Sequence, residues 1–135
     1  MIVDTSALLA FFDTDEPDHD AVSAVINETI EPIVVSPYVV AEVDHLVATR
    51  LGVKAETAVL RELTGGAWTL ATIDVADLIK IVSVIERYDD QAIGVADASN
   101  VVLADRYRTS TVATLDRRHF DVLRPLNGGH FVVLP

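Results

Sequence analysis

The 135-residue chain has no cysteine, and with that absence go a disulfide framework, a thiolate metal site and a cysteine nucleophile. It has no long apolar run either. Half of its residues are hydrophobic, but they come in short blocks such as Tyr38-Val39-Val40-Ala41, far below the roughly 18 consecutive residues a membrane span needs. Positive charge is scarce: ten Lys and Arg stand against 21 Asp and Glu, and lysine occurs only at Lys54 and Lys80. The net charge of −11 repels a polyanion at long range and disfavours non-specific binding to phosphate backbone. Either a basic partner matches these acids or some of them have local work. The opening Met1-Ile2-Val3-Asp4 lacks the basic and apolar stretches of a secretory signal, so the expected location is the cytoplasm, with no membrane partner. A composition this apolar is not that of a disordered segment. Its 135 residues suit a single domain over 1–135, a size at which about two thirds of the unfolded surface is buried.

Strand and helix signals alternate along the chain. Ile2-Val3 is β-branched and stops at Asp4-Thr5-Ser6, ahead of a helical stretch over 7–12, which sets Asp4 at a strand-to-helix junction. A helix over 17–30 and a buried strand at Ile33-Val34-Val35 follow. Ser36-Pro37 reads as a cap and a first-turn proline, and Gly52 as the stop, bracketing a helix over Pro37–Leu51. Further on, the pattern predicts helices over 53–63, 75–88 and 94–107, with strands at Trp68-Thr69-Leu70, 111–115 and 131–134. This alternation indicates a three-layer α/β/α sandwich around a mostly parallel central sheet.

Four carboxylates resist explanation as ordinary surface. In an open parallel sheet ligands bind beyond the carboxyl ends of the strands, and Asp4 and Asp116 both fall where strands finish. Taken singly, each also suits a cap or a turn. Glu42 lines up with Val39 at i−3 and Leu46 at i+4, a stripe expected to face the core, where an ionised carboxylate needs a partner; the alternative is that it rims the stripe and reaches solvent. Asp97 lines up with Val101 and Ala104, one turn from a helix start where the dipole favours an anion. No Lys or Arg lies within three positions of Asp4, Glu42 or Asp97. If the four converge, a divalent cation is the natural neutraliser, and oxygen donors select Mg²⁺ or Mn²⁺ over zinc. Mg²⁺ chemistry is mostly phosphate chemistry, which makes phosphodiester hydrolysis the class to expect.

The ordered blocks Met1-Ile2-Val3-Asp4-Thr5-Ser6, Ser36-Pro37-Tyr38-Val39-Val40-Ala41-Glu42-Val43, Ala96-Asp97-Ala98 and Thr114-Leu115-Asp116-Arg117-Arg118-His119-Phe120 resemble those of PIN-domain ribonucleases. Within that family the chain is similar to the small VapC-type toxins of prokaryotic toxin–antitoxin pairs, over essentially its whole length. The resemblance implies a PIN-like fold and Mg²⁺-dependent endoribonuclease activity, with Mn²⁺ as substitute. It implies that Asp4, Glu42 and Asp97 are metal-binding catalytic carboxylates and that Asp116 completes the site, directly or through water. The hydroxyls of Thr5, Ser6 and Thr114 would form a supporting shell, and cleavage would leave 5′-phosphate and 3′-hydroxyl ends. Ser99 stands where some relatives place a further acid. The implied partners are an RNA substrate, a second copy in a homodimer, and a cognate antitoxin whose basic C-terminal segment sends an Arg or Lys into the acidic site. Five of the ten basic residues lie in the last third, and Arg117 and Arg118, directly after Asp116, are the expected phosphate contacts.

Other readings fit the residues less well. A response-regulator receiver wants an acidic pair after its first strand and a lysine after its last core strand, and an aspartyl-phosphate phosphatase wants a second acid two residues after Asp4. Neither pattern is present. Glu42 and His45 form one i, i+3 pair of the di-iron type, where a four-helix site needs two. His19, His45, His119 and His130 show no metal-site spacing and are expected to be surface or structural. The rival from another class is a non-catalytic PIN-like module that binds protein or RNA, for which the same four acids would be present.

Overall fold

The computed structural model describes residues 1–135. Its strands are β1 (Ile2–Val3), β2 (Ile33–Val35), β3 (Trp68–Leu70), β4 (Thr111–Ala113) and β5 (Val132–Leu134), in the sheet order β3-β2-β1-β4-β5. Every pairing is parallel, so the expected mostly parallel sheet is wholly so. The helices are α1 (Thr5–Phe12), α2 (His19–Glu28), α3 (Pro37–Leu51), α4 (Val53–Leu63), α5 (Val75–Arg87), α6 (Val95–Arg106) and α7 (Arg117–Phe120). No helix is long and apolar enough to cross a membrane.

The period-2 alternation of strands divides the core into two layers. Val3, Val35 and Ala113 point to one face and pack with α1 to α4 around Leu8, Val39, Val43 and Trp68. Ile2, Val34 and Val112 point to the other, against Ile81 and Val84 of α5, Leu103 of α6 and Phe120. Burying a side chain such as Leu8 contributes about 2–3 kcal/mol. Because β3 lies at one edge and β4 sits beside β1, the chain crosses the sheet through α5 and α6 before pairing again. From β1 the chain turns to α1 on one face, whereas β4 is reached from α6 on the other. Parallel strands whose connections part in this way leave a crevice at their carboxyl ends.

Helix α3 spans the predicted range. Ser36 Oγ accepts the Tyr38 N–H at 3.2 Å, Pro37 occupies the first turn, and Gly52 at φ +83° both ends α3 and precedes α4. Its phase differs from expectation. The buried stripe is Val39, Val43 and Val47, so Glu42 is exposed at the rim rather than facing the core. Valine at i+4 from Val39 takes the inward position, and the glutamate is left about 100° round the helix. Other boundaries are shorter than predicted: α2 stops at Glu28, α6 spans Val95–Arg106, and β4 ends at Ala113. Helix α1 starts earlier, at Thr5, and the single-turn α7 occupies a stretch to which the sequence pattern assigns no element.

One ion pair clasps the second layer. Asp77, in a capping box with Asp74 at the start of α5, pairs with Arg106 at the end of α6, whose Nη1 also donates to the Thr72 carbonyl at 2.7 Å. The Arg106 guanidinium holds the Asp77 carboxyl below its ordinary value of 3.8. That contribution is therefore complete at neutral pH and is lost only as acid takes the pH through the lower folded value. Arg106→Ala is expected to cost about 1–3 kcal/mol, read as a lower melting temperature at pH 7, with the gap to the parent closing in strong acid. An unchanged melting temperature would mean that the pair is no more than a solvated surface contact.

Candidate active site

At the carboxyl ends of β1 and β4 lies a pocket of about 300 Å³ lined by Asp4, Glu42, Asp97, Asp116 and His119, with Thr5 and Ser6 on its wall. Four separate elements deliver the acids. Asp4 ends β1, Glu42 projects from the second turn of α3, Asp97 from the first turn of α6, and Asp116 caps α7. A larger cavity of about 430 Å³ lies apart from this chemistry, between α1, α3 and α4, and shares only Leu9 and Leu46 with it.

Asp4 is the most enclosed of the four, 6% exposed. It occupies the cap position of α1, yet its carboxylate makes no capping bond. Asn100 Nδ2 donates to Oδ1 at 3.1 Å and Thr114 Oγ1 donates to Oδ2 at 2.9 Å. Ser6 Oγ lies 3.2 Å from the same Oδ2 and 3.0 Å from Thr114 Oγ1, with one proton for either. Thr114 and Ser6 are themselves anchored, since they accept the backbone N–H groups of Asp116 and Leu115. All of these partners are neutral. Loss of water raises the pKa of Asp4, and the hydroxyls of Thr114 and Ser6 only partly offset that rise.

Each remaining acid has a different companion. Glu42 Oε2 accepts Thr5 Oγ1 at 2.7 Å. Asp97 Oδ2 lies 3.0 Å from His119 Nδ1 and takes a long bond from the Gly94 N–H. Burial raises the Asp97 pKa, the charge of Asp4 raises it further, and His119 opposes both. Asp116 is gripped by Arg118 through Nε at 2.9 Å and Nη2 at 2.7 Å, which holds its carboxyl below the ordinary value. With the acids engaged in this way, no three of them converge as a ready-made cation cage.

The sequence profile of the PIN domain matches residues 1–124. Ribonuclease VapC26 of Mycobacterium tuberculosis (strain ATCC 25618 / H37Rv) is 63% identical over 135 residues, which is the full length of both chains. This chain belongs to the VapC ribonucleases of the PIN-domain family. The crystal structure of Mycobacterium tuberculosis VapC20, described as a sarcin-ricin loop cleaving toxin, superposes with a TM-score of 0.84 at 16% identity over 99% of this chain and 98% of that one. FitAcB from Neisseria gonorrhoeae gives 0.63 at 21% over 99% and 96%. At those identities the two structures share the PIN fold and no more.

Within this VapC fold two pocket neighbours were not anticipated. His119, expected at the surface or in a structural role, faces Asp97 because α7 turns it inward three positions after Asp116. Asn100 is fully buried beneath Asp4. Its sequence signal was a lone amide before Val101-Val102-Leu103, three positions from Asp97 and so on the same side of α6. Ser99 lies elsewhere, buried at 2.6 Å from Ser36 and outside the pocket. The two arginines also differ. Arg117 Nη2 donates to the Pro135 carbonyl at 2.7 Å, whereas Arg118 is 83% exposed while it holds Asp116.

Crowded like charge gives a stability test. With metal chelated at pH 7, Asp97→Asn removes a buried anion that Asp4 repels, so its melting temperature is expected to equal or exceed that of the parent. The sign follows from the raised folded pKa: the penalty is full above it and vanishes below the ordinary value of 3.8, where both states are protonated. Any gain should therefore shrink on acidification. A marked loss of stability at pH 7 would instead make Asp97 a structural residue.

Proposed function

We propose that this chain, acting as one PIN unit over 1–135 in the cytoplasm, is the toxin of a toxin–antitoxin pair and cleaves RNA as a Mg²⁺-dependent endoribonuclease, with Mn²⁺ as substitute. The observation that carries this reading is the meeting of four carboxylates from four elements in one pocket, with Asp4 buried among neutral donors only. Hard oxygen donors, no thiolate in the chain and an uncompensated buried anion fit a hard divalent cation. Asp4, Glu42 and Asp97 would hold it, and Asp116 would join directly or through water once Arg118 releases it.

Such a cation, when bound, supplies charge to the phosphate oxygens and lowers the pKa of an attacking water. The chain's own groups do the positioning. Thr114 and Ser6 orient Asp4, Thr5 orients Glu42, and His119 steadies Asp97. Arg118 is the better-placed phosphate contact of the two arginines, since Arg117 is tied to the chain end. Attack by water rather than by the ribose 2′-hydroxyl leaves 5′-phosphate and 3′-hydroxyl ends.

The larger cavity suits the antitoxin. Its floor of Phe12, Val47, Ala55 and Val59 is rimmed by Asp13, Glu16 and Glu62 with Arg50 as the one cation, and Leu9 and Leu46 lead from it to the acidic pocket. A basic amphipathic segment lying there would bring a terminal Arg or Lys to the four acids. Helix α5, buried through Ile81 and Val84, also exposes Val75, Ile79 and Val82, a face suited to the second copy of a homodimer.

The test is cleavage of total cellular RNA by partner-free protein with Mg²⁺, Mn²⁺ or EDTA, alongside Asp97→Asn, with product ends read by sequencing. Discrete metal-dependent cuts bearing 5′-phosphates and absent in the variant are expected. Folded protein that cuts nothing under any metal would point to a binding module. On the same preparations Arg118→Ala should weaken RNA binding and reduce its salt slope by about one; an unaltered slope would remove Arg118 from the RNA contacts. Sedimentation should give the mass of two chains, and a one-chain mass would count against the homodimer.

A further inference from the structure

Asn100 lies in α6 with no exposed surface, among residues buried on every side: Ala98, Ser99, Val101 and Val102. Only half of its amide is used. Nδ2 donates to Asp4 Oδ1 at 3.1 Å, while Oδ1 is buried without a hydrogen-bond partner. A half-satisfied amide in an apolar layer opposes folding, and an apolar side chain of the same shape would serve the packing better. Packing alone therefore gives no reason for an asparagine here, and its single bond points to one.

Asp97 and Asn100 are three residues apart and so project from the same side of α6, the acid into the pocket and the amide one turn deeper, against Asp4. Thr114 and Ser6 approach Asp4 Oδ2, which leaves Asn100 as the one side chain that fixes Oδ1. Without it the carboxylate could turn about χ2, a soft torsion.

We propose that Asn100 is the positioning residue of the acidic site, holding Asp4 Oδ1 so that the carboxylate keeps the orientation in which it lines the pocket and accepts a divalent cation. This rests on the metal-site reading above. Groups that orient metal-binding carboxylates typically change metal affinity by about 10–100-fold when removed. A residue that merely ties α6 to β1 would change stability instead.

The experiment titrates Mn²⁺ into RNA-free protein by calorimetry and measures metal-free melting in EDTA, for the parent, Asn100→Leu and Asp97→Asn. Leucine keeps the branched shape, although its methyls take more room, and removes the donor and the unpaired carbonyl together. The expected result is Mn²⁺ binding weakened about tenfold or more in Asn100→Leu, in a variant that still folds and melts cooperatively in EDTA. Should the leucine not be accommodated, Asn100→Ala is read by its Mn²⁺ affinity alone, since the cavity it leaves lowers the melting temperature by itself. Parent-like Mn²⁺ affinity in the folded variant, or a lowered melting temperature with affinity intact, overturns the positioning role and leaves the metal site standing. A parent protein that binds no Mn²⁺, as Asp97→Asn is expected to do only weakly, overturns both.

Discussion

Asp4 ends the central strand with its carboxylate nearly out of water, and no cation of the chain lies against it. Hydroxyls and one amide hold it in place. Neutral donors lower the cost of that burial without cancelling the charge, and the field of Asp4 is strong enough to raise the pKa of Asp97 across the pocket. Much of the local structure answers to this one anion. Ser6 lies in the first turn of α1, Thr114 follows β4, and Asn100 is buried in α6, so two distant parts of the chain join a near neighbour on a single carboxylate. Their backbone anchoring makes the arrangement stiff, and stiffness is what a site of defined geometry needs.

The acids are graded by their surroundings. Asp4 is enclosed by neutral groups, Asp97 is shared with His119, Glu42 stands exposed at the rim, and Asp116 is clasped by the exposed Arg118. The same residue chemistry is thus set at different degrees of exposure, from an inner pair to two outer acids. The adjoining apolar cavity extends the site along α1, α3 and α4, so a ligand of the pocket and a ligand of the groove share the leucines between them.

Much of this was legible along the chain. Ser36-Pro37 and Gly52 bracket α3 because a hydroxyl cap, a fixed proline φ and a positive-φ glycine each act within a few residues. The four acids stood out because they fall at strand ends or on helix faces where an unpaired carboxylate is costly. What failed was phase and pairing. Glu42 was displaced from the core face by Val43, a difference of one residue that periodicity resolves poorly. That His119 meets Asp97 left no mark in the sequence, because the single turn of α7 is too short for a periodic trace.

The sequence by itself determined the order of the strands and of the longer helices and the caps between them, and it singled out four carboxylates, since these follow from propensity and spacing over a few neighbours. Only the tertiary structure decided that β4 lies beside β1, and with it that Thr114, Asn100 and Asp4 meet across 96 and 110 positions of chain. It also decided which acids are buried, which are paired, and that Asp4 has neutral company alone. Desolvation and hydrogen bonding depend on what surrounds a group in space, and those surroundings are assembled from elements that carry no local record of one another.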